Sequence, residues 1–174
     1  MILPAVRDSR LVSIRRGGLL AEADHRLLAM WAANCAEHVL ELFEAANAGD
    51  ARPRAAIEAA RAWARGEAKM METRALGGHA MGAAHPLHGA ARFAAYAAGQ
   101  AACVAHVPEH DLGAAAYAIK AAAAAAHSGQ ELDAARAERD WQRRQIPGHL
   151  RSLVLEDQRR RNSICWSVFY DNES

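Results

Sequence analysis

The feature that most restricts this chain is its density of alanine between a few well-placed breakers. Alanine has the highest helix propensity and a side chain short enough to let helix axes approach closely. Five prolines and twelve glycines punctuate the 174 residues, and proline is readily accommodated only in the first turn of a helix. The pattern predicts an all-α fold, a single-domain bundle of six to eight antiparallel Ala-rich helices. Residues 1–160 are expected to form the helical domain, opening on an irregular lead-in over 1–20, with 161–174 as a C-terminal tail. No sheet is expected beyond a short pairing of 11–14 or 164–170.

Asp24 suits the cap of a first long helix. Its stripe of Leu27, Leu28, Trp31, Cys35, His38, Val39, Leu42 and Phe43 recurs in three- and four-residue steps up to Asn47-Ala48-Gly49-Asp50. Pro53 opens a second helix, carrying Ile57 and Trp63 and running on through Met70 and Met71 to a stop or kink at Gly77-Gly78; a short helix covers 79–84. Pro86, Pro108 and Pro147 open three more, and Glu131 to Arg144 reads as a charged amphipathic helix bearing Leu132 and Trp141. Trp31, Phe43, Trp63 and Tyr117, the bulky anchors among small residues, are expected to be buried in or near mutual contact. A weak internal echo places Ala-His at 84–85 and 105–106, and Ala-Tyr at 95–96 and 116–117. The tail from Ile164 to Tyr170 is rich in β-formers and either covers the protein's own core or docks on a second subunit.

With 21 basic and 20 acidic residues, the chain lacks the basic surplus of a nucleic-acid binder. Cys35, Cys103 and Cys165 form no CxxC pair and read as reduced thiols of a cytoplasmic protein. The most apolar stretch, Gly113 to Ala126, is too short for a membrane span and carries Lys120, and the N-terminus lacks the apolar core of a signal peptide.

Histidine is the most suggestive chemical group. Six of the nine fall between 79 and 127. His106 and His110, separated by Pro108, could meet Cys103 or Asp111 at a metal, yet no HExxH or paired CxxC motif accompanies them. Cys35 and His38 are neighbours on one helix face, but a mid-helix cysteine lacks the setting that lowers a thiol pKa. Glu37, Glu41 and Glu44 face Arg52, Arg54, Arg61 and Arg65 across the first two helices, as an ion-pair seam or an ordinary solvated surface; Arg61, within an apolar run, could bury its pair. No phosphate loop or diagnostic catalytic spacing is present. The sequence therefore designates no catalytic residue, no metal ligand and no cofactor.

The run from Asp24 to Leu40 (DHRLLAMWAANCAEHVL) resembles the opening helix of a bacterial family of putative immunity proteins. Arg52-Pro53-Arg54-Ala55-Ala56-Ile57 and Arg61 to Glu67 resemble its second block. Ala98 to Val107, His110, and Gly113 to Ala121 resemble its third, and Trp141-Gln142, Pro147 and Leu150 its end, so the likeness spans about residues 22–155. The chain departs from the pattern at Gly77 to Gly82 and after Leu155. Some members carry a label as a DNA-repair exonuclease; this chain lacks the nucleotide loop and long coiled coil that such a subunit needs. The resemblance implies a protein-binding module that neutralises a cognate toxin by occlusion. Homo-oligomerisation is expected from the aromatic tail and the Ala faces at 94–102 and 113–126, with neither nucleic acid nor membrane as partner. The alternative is a small metal-binding protein or enzyme using His106, His110 and Cys103.

Overall fold

The computed structural model describes residues 2–170 and contains eight α-helices. They are α1 (Glu22–His38), α2 (Leu40–Ala46), α3 (Arg52–Ala64), α4 (Met70–Ala84), α5 (Gly89–Cys103), α6 (Asp111–Ala125), α7 (Glu131–Arg144) and α8 (Arg151–Arg161). Short 3-10 turns sit at Ser9–Leu11, Ile14–Arg16, Pro108–His110, Gly148–Leu150 and Ser163–Cys165. Strand pairing among the described residues is limited to one isolated bridge between Ser13 and Leu20. The expected pairing of 11–14 thus shrinks to a single contact, and 164–170 forms none. The fold is all-α, a single helical domain.

Helix α5 lies at the centre, packed on α1, α2, α3, α4 and α6, while α6 also meets α1 and α7. The Ala faces predicted for a partner are spent here. Ala94, Ala97, Ala98 and Ala101 of α5 and Ala114, Ala115, Ala118 and Ala121 of α6 are all fully buried. The two echo tyrosines stack across the two helices, with Tyr96 and Tyr117 ring centroids 5.0 Å apart.

Several boundaries differ from the sequence reading, each for a local reason. The first helix starts at Glu22 rather than behind Asp24, which instead accepts from His149 Nε2 at 2.7 Å. It breaks at Val39, whose backbone (φ −113°, ψ 4°) leaves the helical range so that α2 can turn onto α5. Gly77 and Gly78 neither stop nor kink α4; they lie inside it. A Cβ at Gly77 would stand 2.8 Å from the Gly99 carbonyl oxygen, and one at Gly99 would stand 2.8 Å from that of Gly77. This reciprocal pair of bare backbones lets α4 and α5 touch, so residues 79–84 continue α4 instead of forming a separate helix.

The anchor prediction divides. Trp31 and Phe43 are buried. Trp63 and Tyr117 are only partly so, because each also serves a neighbour nearer the surface: Arg26 lies over Trp63, and Tyr117 packs on Trp166. Leu132 of α7 is exposed; the inward face of that helix is Ala135, Glu138 and Gln142. In the tail, Cys165 and Phe169 are buried against this chain's own core, while Trp166 spreads over Tyr117 and Lys120.

Candidate functional site: an acidic groove beside a histidine–tryptophan platform

The C-terminal half of α1 carries Asn34, Glu37 and His38 to the surface, and α2 continues with Glu41 and Glu44. Across from them stand Arg54 of α3 and Trp141 of α7. Together with Leu40 and Gln145 they line an open groove of about 650 Å³. The groove spans the break at Val39, so its acidic row is shared between α1 and α2.

The predicted seam forms along one wall. Arg54 holds Glu44 in a bidentate pair, at 2.7 and 2.8 Å, and keeps its carboxyl below the usual range. Arg61 bonds Glu37 and donates to Asn34 Oδ1 at 2.8 Å. Arg61 remains at the surface of the seam; the deeply buried arginine of this protein is Arg161. Arg52 pairs with Asp50 and Arg65 with Glu67, each beside its own helix end, so neither joins the seam. Glu41 has no ion-pair partner among the described residues.

The opposite wall is built from within. His38 lies flat on Trp141, with ring centroids 3.6 Å apart and planes 5° from parallel. Its Nδ1–H donates to Glu138 Oε2 at 2.6 Å. Glu138 is buried, and its other oxygen accepts from Gln142 Nε2 at 2.8 Å, which also donates to the Ala115 carbonyl at 3.1 Å. The indole N–H of Trp31 bonds the Gln142 carbonyl at 2.9 Å. A chain of bonds thus runs from the core to the half-exposed His38 and fixes its ring. A buried carboxylate accepting this many bonds rigidifies its surroundings, and the platform it orients is a preformed, amphipathic surface of the kind enriched at protein interfaces.

The histidine reading resolves differently. His106 Nδ1 faces Arg16 at 3.2 Å, and His110 Nδ1 bonds Gln100 Oε1 at 2.7 Å, room for which is left by Gly113. Cys103 packs where α4 meets α5. No three His, Cys, Asp or Glu side chains converge on a possible metal among the described residues. Cys35 is fully buried, and that burial pushes its thiol well above the ordinary value, while its neighbour His38 turns to Glu138. Sequence reasoning missed Glu138, Gln142 and Trp141's partner. The available signal was polar residues at 138 and 142 standing on the inward, four-residue spacing of α7.

No helix among the described residues is long and apolar enough to cross a membrane. Neither curated proteins nor solved structures provide a match to the chain. The family of Imm-5 like putative immunity proteins matches residues 18–149, most of the chain and all of the groove. This protein belongs to that family.

Proposed function

We propose that the protein neutralises a cognate toxin protein by binding and occluding it, with the acidic groove as the contact surface. The observation that carries this reading is the pairing of Glu37, Glu41 and Glu44 with a rigid Trp141–His38 platform in one groove. Acidic side chains steer a basic partner toward the surface. A desolvated aromatic anchor then supplies the local binding energy, as tryptophan commonly does at interface hot spots. Glu41, with no ion-pair partner among the described residues, is the carboxylate most available to a cation of the toxin.

The experiment co-expresses the protein with candidate toxin proteins and measures both survival and a purified complex. Glu41→Lys together with Trp141→Ala is expected to weaken the complex at least a hundredfold and abolish protection, at unchanged helicity. Full protection by that variant would remove the groove from the interface. Three buried free thiols and the near-neutral charge support action in the cytoplasm on a protein rather than on nucleic acid. Self-association rests on Ile164, Trp166 and Tyr170, the exposed apolar side chains of the tail. A monomer at tens of micromolar in sedimentation equilibrium would remove it.

A further inference from the structure

A second concavity lies at the other end of α1, roughly 18 Å from His38 at 1.5 Å per residue, and shares no residue with the groove. It encloses about 360 Å³ between α1, the start of α4 and the loop after α5, the low end of the range for small-molecule sites. Four cations line it, Arg15, Arg16, Arg26 and Lys69, against the single carboxylate of Glu22. Glu22 bridges Arg15 and Arg26, at 2.6 and 2.7 Å, and so orders two guanidiniums at the rim. Among the described residues Arg16 meets no carboxylate; it faces His106.

The N-terminus of the fifteen-residue α4 opens into the same space, through Lys69 and Met70. No side chain caps it. Its first N–H groups and the positive end of its dipole favour an anion, yet the residue at the cap is a lysine. Lys69 itself pairs with Glu72 of the first turn at 3.6 Å, and the three arginines beside it keep the cleft cationic. Burial, followed by the fields of Arg16, Arg74 and Arg7, holds His106 on the cleft wall below the usual histidine range. The positive charge left over after the Glu22 and Glu72 pairs draws an anion toward the helix end.

The floor adds an independent constraint. His25 is 5% exposed and forms part of the cleft lining. Its Nε2 donates to the Val104 carbonyl at 2.6 Å, which fixes the tautomer and leaves Nδ1 as an acceptor without a partner among the described residues. Beside it, the ring of Trp63 stands 4.7 Å from the His25 ring, edge to face. An acceptor lining a cationic cleft asks for a ligand that is anionic at one end and carries a hydroxyl at the other, and the Trp63 ring beside it, with Arg26 over it, adds an apolar edge to the wall.

We infer that this cleft binds a small hydroxyl-bearing phosphate ester, of the sugar-phosphate class, with the phosphate between Arg16, Lys69 and the α4 N-terminus and a hydroxyl donating to His25. This site is independent of the toxin-binding reading, and its test needs no toxin.

The experiment titrates the purified full-length protein with ribose 5-phosphate by calorimetry and thermal melting, against sodium chloride at matched ionic strength. A saturable, one-to-one heat and a rise in Tm beyond the salt control are expected. Arg16→Ala combined with Lys69→Ala, both exposed positions, should keep the ligand-free protein folded, with a Tm no lower than the parent's, and weaken binding at least tenfold. Trp63→Phe should retain the fold and weaken ribose 5-phosphate more than inorganic phosphate. Absence of saturable binding at millimolar ligand would overturn the inference, as would equal affinity in the double variant. Tighter binding of a poly-glutamate peptide or a single-stranded oligonucleotide than of ribose 5-phosphate would also overturn it, assigning the charge to a macromolecular partner.

Discussion

Asp111 opens α6 in a fully buried position, with Asp157, Glu109 and Arg161 around it. Burial, reinforced by Asp157, raises its carboxyl to about 7 despite Arg161 and the bond it accepts from the Leu112 amide at 2.5 Å. Its neighbour His110 moves the other way: burial, with Arg161 next, lowers it to about 4. The signs follow from linkage. The folded state holds a proton on Asp111 that the unfolded chain releases near pH 4, so stability falls as pH rises from about 4 to 7. His110 is neutral when folded and protonated when unfolded, so its contribution falls as pH drops from about 6.5 to 4. Across most of that window the two oppose each other. Asp111→Asn removes the first and keeps the hydrogen-bond acceptor toward Leu112. Its stability relative to the parent, read from urea midpoints, should therefore climb between pH 5 and 7 and level off above 8. A difference that stays constant with pH would show that Asp111 titrates normally. Neither shift was visible in the sequence, where His110 and Asp111 stood out only as groups that could meet at a metal beside Pro108.

At the scale of elements, α4 and α5 show what the glycines are for. Gly99→Ala would press a Cβ to 2.5 Å from Met81 Cγ and 2.8 Å from the Gly77 carbonyl oxygen, of which only the methionine can swing aside. Separating two packed helices in this way costs about 1–3 kcal/mol. Gly78 is the contrast: it is exposed, mid-helix, and a Cβ there meets nothing within 4 Å. Gly78→Ala should stabilise the protein by about 1 kcal/mol through helix propensity alone. Denaturant titrations of the two variants should shift in opposite directions, and a stabilising Gly99→Ala would mean that α4 and α5 do not touch there. The helix count, the Pro-marked starts and the Glu37–Glu44 seam were legible because propensity and spacing are local. The Gly-Gly pair was not, since its role depends on Gly99 on another helix. The break at Val39 escaped for the same reason: the apolar stripe continues straight through it, and only the packing of α2 on α5 bends the chain. The groove was half legible. Its acids and Trp141 stand in the sequence, whereas the Glu138–His38 bond joins residues a hundred positions apart.

The molecule as a whole is closed by its two ends. The family match covers residues 18–149, and the segments on either side of it fasten to each other over the start of α6. Arg161 of α8, 1% exposed, donates to the carbonyls of Ile2 and Glu109 at 3.0 and 2.8 Å and pairs with Asp157 at 2.9 Å. Arg10 reaches Glu156 at 2.9 Å, and Arg7 reaches the carboxylate of Glu109 through its Nε at 2.7 Å. Glu109 is wholly buried, with one oxygen on Arg7 and the other without a hydrogen-bond partner. A charge so placed depends on its counter-ion, because desolvation is costly and breaking one half of a buried pair typically costs about 3–5 kcal/mol. Replacing both halves with neutral groups removes the charge and the penalty together. Arg7 is partly exposed, so Arg7→Met disturbs little packing of its own and should destabilise the protein by about 2–4 kcal/mol. Glu109→Gln should cost less, since it leaves only the better-solvated Arg7 unpaired. The double variant should be more stable than Arg7→Met alone, giving a coupling of at least about 1 kcal/mol in a double-mutant cycle. Hydrogen exchange should show α8 loosening in Arg7→Met and recovering in the double variant, while α1 and α2 keep their protection throughout. Additive single-variant effects would mean that Arg7 shields no buried charge and that the two ends are held by Arg161, Arg10 and Arg160 without it.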